Sequence, residues 1–286
     1  MMKQLNLFFE LTRLKRPIGY MLLFWPCAWG LTLAYDFSND LKNYFFYLTF
    51  FFLGSVLMRS AGCIVNDISD KEFDKKVERT KNRPIASNKI SINLAIFYTI
   101  ILCSLAFLVL INFNYLTIIL ALCSMPLAFT YPLMKRFTYW PQLFLGITFN
   151  WGIMMSWTAS VNYISLDILY FYLAAIFWTL GYDTIYGAQD INDDEIIGIK
   201  STSVKFKKYI KTFVSINYFL TSLILVILFE DKLGINYFTT FIIIFILSLI
   251  YQTAVFDRAN PAKCLASFKL NNYSGFSLLL AIMFIK

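Results

Sequence analysis

Residues 44–74 read YFFYLTFFFLGSVLMRSAGCIVNDISDKEFD, a long apolar run that ends in a cluster of carboxylates. Residues 167–194 repeat this arrangement as DILYFYLAAIFWTLGYDTIYGAQDINDD. An apolar run of about 20 residues predicts a helix that crosses a membrane. Both stretches therefore predict a membrane helix whose acidic end meets a polar loop.

The composition of the whole chain is that of a membrane protein. Of the 286 residues, 59% are hydrophobic and 15% are charged, which is too apolar for a water-soluble domain of this length. We predict an all-α, polytopic integral membrane protein with a single domain over residues 1–286 and about nine transmembrane helices in a ring-like bundle. The run at 141–159 is the weakest of these, because Asn150 and Gly152 dilute it. The predicted spans are 17–35, 44–65, 91–111, 114–131, 141–159, 167–187, 209–229, 235–255 and 268–286.

The positive charges predict the orientation of the chain. Most of the 25 Lys and Arg residues precede the first span or follow every second span, whereas the opposite loops and the C-terminus hold only Lys42, Lys232 and Lys286. Positively charged loops face the cytoplasm, so the N-terminus and both acidic clusters are predicted to be cytoplasmic. This orientation and the attraction of anionic lipid explain the net charge of +8 without a nucleic-acid partner.

Each acidic cluster forms a stripe, since its members recur at about 100° per residue on one face of a helix. Such a stripe repels itself unless a cation joins it, and carboxylate and amide oxygens suit a hard divalent ion that also holds a phosphate. Ordinary solvated loop charges are the alternative, but two stripes on one side of the membrane favour a metal site. We expect them to face each other above a pocket that the loops 75–90 and 195–208 cover. The stripes are Asp67, Asp70 and Asp74, and Asp183, Tyr186, Asp190 and Asp194.

Basic residues near these stripes are candidates for binding an anionic substrate. Arg59 lies inside an apolar span, where a charge is costly and usually functional. It precedes Asn66 by about two helical turns, so it can reach a phosphate held there, and a structural ion pair is its alternative role. Lys135, Arg136 and Lys200 follow spans, where they either orient the chain or neutralise a diphosphate. The absence of histidine excludes histidine-based triads and histidine–zinc sites from this chain.

An ordered series of short motifs runs through nearly the whole chain: RPIG (16–19), WP (25–26), LMRSAGC (57–63), ND (66–67), RTKNRP (79–84), YPLMKR (131–136), PQ (141–142), LG (145–146), YDT (182–184), DD (193–194), IGIKST (197–202) and NNY (271–273). This series resembles the UbiA superfamily of membrane prenyltransferases, and specifically its 4-hydroxybenzoate polyprenyltransferase branch. Gly187 stands where that family usually has alanine.

The resemblance implies a prenyl transfer in the lipid bilayer, in ubiquinone biosynthesis and in a bacterial inner membrane. A polyprenyl group would pass from polyprenyl diphosphate to position 3 of 4-hydroxybenzoate, with release of diphosphate. Arg59, Lys135, Arg136, Tyr186 and Lys200 would bind substrate, and Arg59 would share the diphosphate charge. The proton acceptor would be Asp183 or Asp190. The implied Mg²⁺ ligands are Asn66, Asp67, Asp70, Asp74, Asp190 and Asp194.

Two other functions stay open on the sequence. A prenyltransferase that uses a naphthoate, homogentisate or haem as acceptor would need the same metal chemistry, so the acidic stripes do not separate it from the first function. A secondary transporter is less favoured, because its ion sites are expected near the bilayer midplane, whereas these carboxylates lie at helix ends. The prenyl chain length, the group that binds the acceptor carboxylate and the oligomeric state are also open.

Overall fold

The computed structural model describes residues 2–37 and 41–285, and all regular secondary structure in these two ranges is helical. The all-α prediction is therefore confirmed. The α-helices are α1 (Met2–Thr12), α2 (Ile18–Ala34), α3 (Leu41–Ser69), α4 (Lys71–Asp74), α5 (Ile92–Leu110), α6 (Tyr115–Thr130), α7 (Met134–Phe137), α8 (Pro141–Asn150), α9 (Gly152–Val161), α10 (Leu166–Gly187), α11 (Ile191–Ile197), α12 (Thr202–Lys205), α13 (Ile210–Leu228), α14 (Tyr237–Val255) and α15 (Pro261–Met283).

Helices occupy every predicted span. Six helical segments of the described chain are long and apolar enough to cross a membrane, and they contain α3, α5, α6, α10, α13 and α14. The helix α2 is apolar but shorter, at 17 residues. The count of nine spans therefore stays a prediction. Met1 and Lys286, at the two ends of the predicted domain and of the last predicted span, lie outside the described residues.

The span predicted at 141–159 is wrong as a single helix, because α8 ends at Asn150 and α9 begins at Gly152. The amide of Asn150 donates to the carbonyl oxygens of Gly146 and Ala175 and to the hydroxyl of Thr179. The last two of these bonds tie the break to α10. A break in a membrane helix is tolerated where neighbouring helices satisfy its polar groups.

The helix α2 lies at the centre of the bundle. It packs against α3, α9 and α15, and the backbones approach closely because Gly152 of α9 leaves room for the Cys27 thiol of α2. Small residues permit such contacts between membrane helices. On one side of α2 stand α3, α5 and α6, and on the other side stand α10, α13, α14 and α15.

Asn271 of α15 joins three of the helices on that second side through buried hydrogen bonds. Its amide donates to the side-chain oxygen of Gln252 on α14, which also accepts from the hydroxyl of Tyr218 on α13. Its own side-chain oxygen accepts from the indole of Trp178 on α10, at 2.8 Å. The motif at 271–273 therefore contributes a polar connection at the centre of four helices.

Replacement of Asn271 by leucine is expected to lower the free energy of unfolding by about 1–3 kcal/mol, because the Trp178 indole loses its buried acceptor. Titration of the detergent-solubilised protein with a denaturing detergent measures this loss. The matched control is Asn112→Leu, since the amide of Asn112 is exposed and bonds to its own turn. Equal unfolding of the two variants would contradict the role of the network.

Candidate active site

The first acidic segment lies at the end of α3 and in α4, and its three aspartates are buried. Asp67, Asp70 and Asp74 are 2%, 1% and 6% exposed. Arg83 joins two of the three carboxylates, because its Nη1 contacts Asp67 at 3.2 Å and Asp74 at 2.8 Å. Asp70, between α3 and α4, pairs with Lys135 instead, so the common face of all three stays a prediction. Asp67 also accepts from Arg13 at 2.5 Å.

The second acidic segment departs from the predicted stripe. The helix α10 ends at Gly187, a 3₁₀ turn covers Ala188–Asp190, and α11 then carries Asp194. A single helical face from Asp183 to Asp194 is therefore wrong, because the tighter turn changes the angle between residues. Asp183 lies within α10, four residues before the end of that helix, and its main charged neighbour is Arg59.

The two segments meet through basic side chains rather than directly. Arg79, from the loop after α4, forms an ion pair with Asp190 in the 3₁₀ turn after α10, and its Nη1 lies 3.4 Å from the Tyr186 hydroxyl. Lys135, in α7, forms an ion pair with Asp70. These links are consistent with the sequence prediction that the acidic ends face each other. The two helices themselves pack mainly on other helices: α3 on α2 and α5, and α10 on α8, α13 and α15.

Three of the arginines that hold the carboxylates were missed as site residues. Arg79 and Arg83 carry a sequence signal, since both belong to the motif RTKNRP in the loop that follows the first stripe. Arg13 carries no such signal. It follows α1 in a left-handed conformation, with φ of 55°, and it contacts Asp67, which lies 54 positions later in the sequence.

Other predicted substrate-binding residues lie at the edge of this cluster. The described contacts of Arg136 and Lys200 are with backbone and rings: Arg136 donates to the carbonyl of Ser69 at 2.5 Å, and the ammonium of Lys200 lies 3.3 Å from the carbonyl of Phe137. Neither side chain contacts a carboxylate there. The backbone N–H of Lys200 donates to the carbonyl of Lys135 at 2.9 Å, which joins the loop after α11 to α7.

The carboxylates offer oxygen ligands of the kind that a hard divalent cation takes. Within residues 2–37 and 41–285, no three His, Cys, Asp or Glu side chains lie close enough together to coordinate one metal ion. The aspartates form ion pairs with arginine and lysine side chains instead. One oxygen of Asp70 nevertheless remains buried without a hydrogen-bond partner. Burial raises the pKa of the Asp70 carboxyl above its usual value, and Lys135 opposes this effect. The donor set therefore fits a cation, and the predicted ligands stay a prediction.

Arg59 is the second unsatisfied group at the site. Its Nε is buried and has no hydrogen-bond partner among the described residues. The guanidinium lies 5.4 Å from the ring centroid of Phe149, and it fits a slot where a Cβ on Gly19 would come within 3.0 Å of Nε. A buried cation in this state favours binding of an anionic group.

A cavity of about 690 Å³ lies beneath the acidic segments. Arg59 and Tyr131 line it on the side of the carboxylates, and Phe113 lines it toward the opposite membrane face. From Arg59 to Phe50 the cavity follows α3 for about 14 Å. Its remaining walls are almost entirely apolar side chains of α2, α3, α5, α6 and α9. The site therefore combines a charged rim with a long apolar chamber.

The chain matches proteins of one family over most of its length. The model of the UbiA prenyltransferase family matches residues 23–274. The 4-hydroxybenzoate octaprenyltransferase of Vibrio atlanticus is 38% identical over 276 residues, which cover 95% of this chain and 94% of that protein. The mitochondrial 4-hydroxybenzoate polyprenyltransferase of Drosophila pseudoobscura is 47% identical over 209 residues, which cover 72% of this chain and 52% of that protein. The match thus spans about half the length of such mitochondrial relatives.

Solved structures of the same fold agree with this match. An apo UbiA homologue from Aeropyrum pernix K1 superposes with a TM-score of 0.77 at 24% identity, over 93% of this chain and 98% of that one. A UbiA homologue from Archaeoglobus fulgidus, bound to GPP and Mg²⁺, superposes with a TM-score of 0.73 at 16% identity, over 97% and 99%. Taken with the family model and the close relatives, they establish that this chain belongs to the UbiA prenyltransferase family.

Proposed function

We propose that the protein transfers a polyprenyl group from polyprenyl diphosphate to position 3 of 4-hydroxybenzoate, with release of diphosphate, as a step of ubiquinone biosynthesis. The observation that carries this proposal is the charged rim above a long apolar cavity, which matches a substrate with a diphosphate at one end and an isoprenoid tail at the other. The names of relatives that are 36–47% identical support the same reaction.

Asn66, Asp67, Asp70 and Asp74 from the first segment, with Asp190 and Asp194 from the second, are the proposed ligands of Mg²⁺. The unpartnered oxygen of Asp70 and the all-oxygen donor set support this assignment. A bound divalent ion would neutralise the diphosphate and make it a better leaving group.

The basic residues of the rim would change partners when the donor binds. Arg79, Arg83 and Lys135 now neutralise carboxylates, and these long side chains can turn to the oxygens of a diphosphate once the carboxylates hold a cation. Arginine suits this role, because its planar fork matches phosphate oxygens. We assign Tyr186 to the orientation of Arg79, since the guanidinium also lies over its ring at 5.7 Å.

The apolar cavity would hold the tail and exclude water. The allylic C–O bond of the donor breaks, and C3 of the ring, activated by the neighbouring hydroxyl, forms the new C–C bond and then loses its proton. Water in this chamber would consume the allylic cation to give an alcohol, so its apolar walls protect the reaction. Asp183 is the proposed proton acceptor, with Asp190 as the alternative, because Asp183 interacts with Arg59, and Arg59 lines the cavity.

The proposed setting is a bacterial inner membrane, with the acidic segments and the N-terminus facing the cytoplasm. The basic residues of the loops beside both segments support this orientation.

The acceptor is tested by competition. Purified protein in detergent would receive one polyprenyl diphosphate, Mg²⁺ and an equimolar mixture of 4-hydroxybenzoate, a dihydroxynaphthoate and homogentisate, with products identified by mass spectrometry. The expected product is prenylated 4-hydroxybenzoate, with its C–C bond at position 3 located by NMR. Preferential prenylation of another acceptor would contradict the substrate assignment, while any prenylated ring would retain the reaction type.

A further inference from the structure

Residues 187–203, which carry Asp190 and Asp194 of the second acidic segment, form a closed loop whose two ends meet at Gly187 and Ser203. A Cβ placed on Gly187 would lie 2.7 Å from Oγ of Ser203 and 3.5 Å from the amide nitrogen of Gln142. A contact of 2.7 Å is shorter than Cβ atoms make in real structures, where they stay at least 3.0 Å from other heavy atoms. A side chain at 187 would therefore force α12 away from α10.

Buried hydrogen bonds hold this closure in one geometry. Oγ of Ser203 donates to the carbonyl of Thr184 at 2.8 Å, and the hydroxyls of Thr184 and Thr202 pair at 2.7 Å. The N–H of Thr202 donates to the side-chain oxygen of Gln142 at 3.0 Å. Thr184, Thr202 and Ser203 are all fully buried, so Ser203 cannot rotate away from a new methyl group without loss of a bond.

The residues between these ends carry the carboxylates proposed to bind metal. Asp190 precedes α11 as its N-cap residue, Asp194 lies in α11, and Gly198, with φ of +76°, follows as the C-cap residue. The chain then returns through the bond from the Lys200 N–H to the carbonyl of Lys135, and the Lys135 ammonium is paired with Asp70 of the first segment. The closure thus sets where the second segment stands relative to the first.

We propose that Ser203 is a positioning residue for the second acidic segment, and that it requires glycine at position 187. The Gly187–Ser203 contact fixes Asp190 and Asp194 at the separation from the first segment at which both bind the same cation and diphosphate. This inference rests on the proposed function, because it assumes that the two segments hold a divalent ion.

A double-mutant cycle with Mn²⁺ as the probe tests the proposal. Binding of Mn²⁺ in the presence of inorganic diphosphate is followed by the electron paramagnetic resonance of the free ion, and the donor KM is measured alongside it. Gly187→Ala is expected to weaken Mn²⁺ binding by roughly tenfold or more, as for other residues that orient metal ligands. Ser203→Ala loses one hydrogen bond and is expected to weaken binding by about fivefold or less.

The double variant decides the outcome. Without Oγ at 203 the methyl group at 187 has room, so Gly187→Ala/Ser203→Ala is expected to bind Mn²⁺ within about twofold of Ser203→Ala. Gly234→Ala is the matched control, since its new Cβ meets nothing closer than 3.6 Å, and it is expected to bind like the wild type. If Gly187→Ala does not fold, the proposal is still tested by comparing the Mn²⁺ affinity of the double variant with that of Ser203→Ala.

Three results would overturn the inference. If Gly187→Ala bound Mn²⁺ with wild-type affinity, glycine would not be required at position 187. If the double variant bound Mn²⁺ much more weakly than Ser203→Ala, the two residues would not be coupled. A loss of thermal stability without a change in Mn²⁺ affinity would leave the contact purely structural. Failure of the wild type to bind Mn²⁺ would instead contradict the proposed function, and the inference with it.

Discussion

Asp190→Asn is expected to lower kcat by roughly a thousandfold, which corresponds to about 4 kcal/mol of lost transition-state stabilisation. The amide keeps the shape of the side chain but removes the negative charge that holds a cation and, in the resting protein, Arg79. Asp190 suits this test better than Asp67, because Asp67 is buried between Arg13 and Arg83 and its loss would leave two cations unpaired. Steady-state transfer assays with saturating donor measure the change.

Asp193→Asn serves as the matched control for that variant. Asp193 lies in α11, which Asp190 caps, and it is not among the proposed ligands. It is expected to retain most of the activity. If Asp190→Asn inserted and folded normally and kept the wild-type kcat, the assignment of Asp190 as a metal ligand would be wrong.

Arg59→Lys is expected to raise the donor KM by about tenfold, the effect of losing one hydrogen bond to a charged group. Lysine keeps the charge, but its ammonium cannot reproduce the planar fork that occupies the slot beside Gly19 and Phe149. The acceptor KM should change less, because the diphosphate is the proposed partner of Arg59. Initial rates at varied donor and varied acceptor separate the two constants.

Two results would revise the assignment of Arg59. An unchanged donor KM and kcat would leave the residue with a structural role. A rise confined to the acceptor KM would move Arg59 from the diphosphate to the carboxylate of 4-hydroxybenzoate.

Hydropathy predicts most helices of this fold to within a few residues, because lipid requires long apolar segments. The last helix shows where this signal fails. Its start is predicted at 268 but observed at Pro261, since Lys263 and Lys269 lower the hydropathy of its first turns. Asn260 caps this helix through two backbone N–H groups and proline occupies its first position, which are local signals that hydropathy does not register.

The candidate site is only partly predictable, because spacing along a helix indicates faces but not partners. Helical periodicity places Asp67 and Asp74 on one face, and Arg83 contacts both. The 3₁₀ turn after Gly187 is not predictable in this way, since hydropathy and helical spacing carry no signal for it. Arg13 reaches Asp67 across 54 positions of the chain, and contacts between such distant residues leave no trace in local patterns.

In the proposed reaction, the acidic rim uses a divalent metal to transfer a prenyl group to 4-hydroxybenzoate. The most direct test of this reaction is the transfer of ring-labelled 4-hydroxybenzoate into a lipid-extractable product by membranes that contain the protein, with polyprenyl diphosphate and Mg²⁺, with and without excess EDTA. We predict a labelled lipid product that EDTA abolishes and that added Mg²⁺ restores. A labelled product that forms equally well in excess EDTA, or no product from folded protein, would contradict a metal-dependent transfer to 4-hydroxybenzoate.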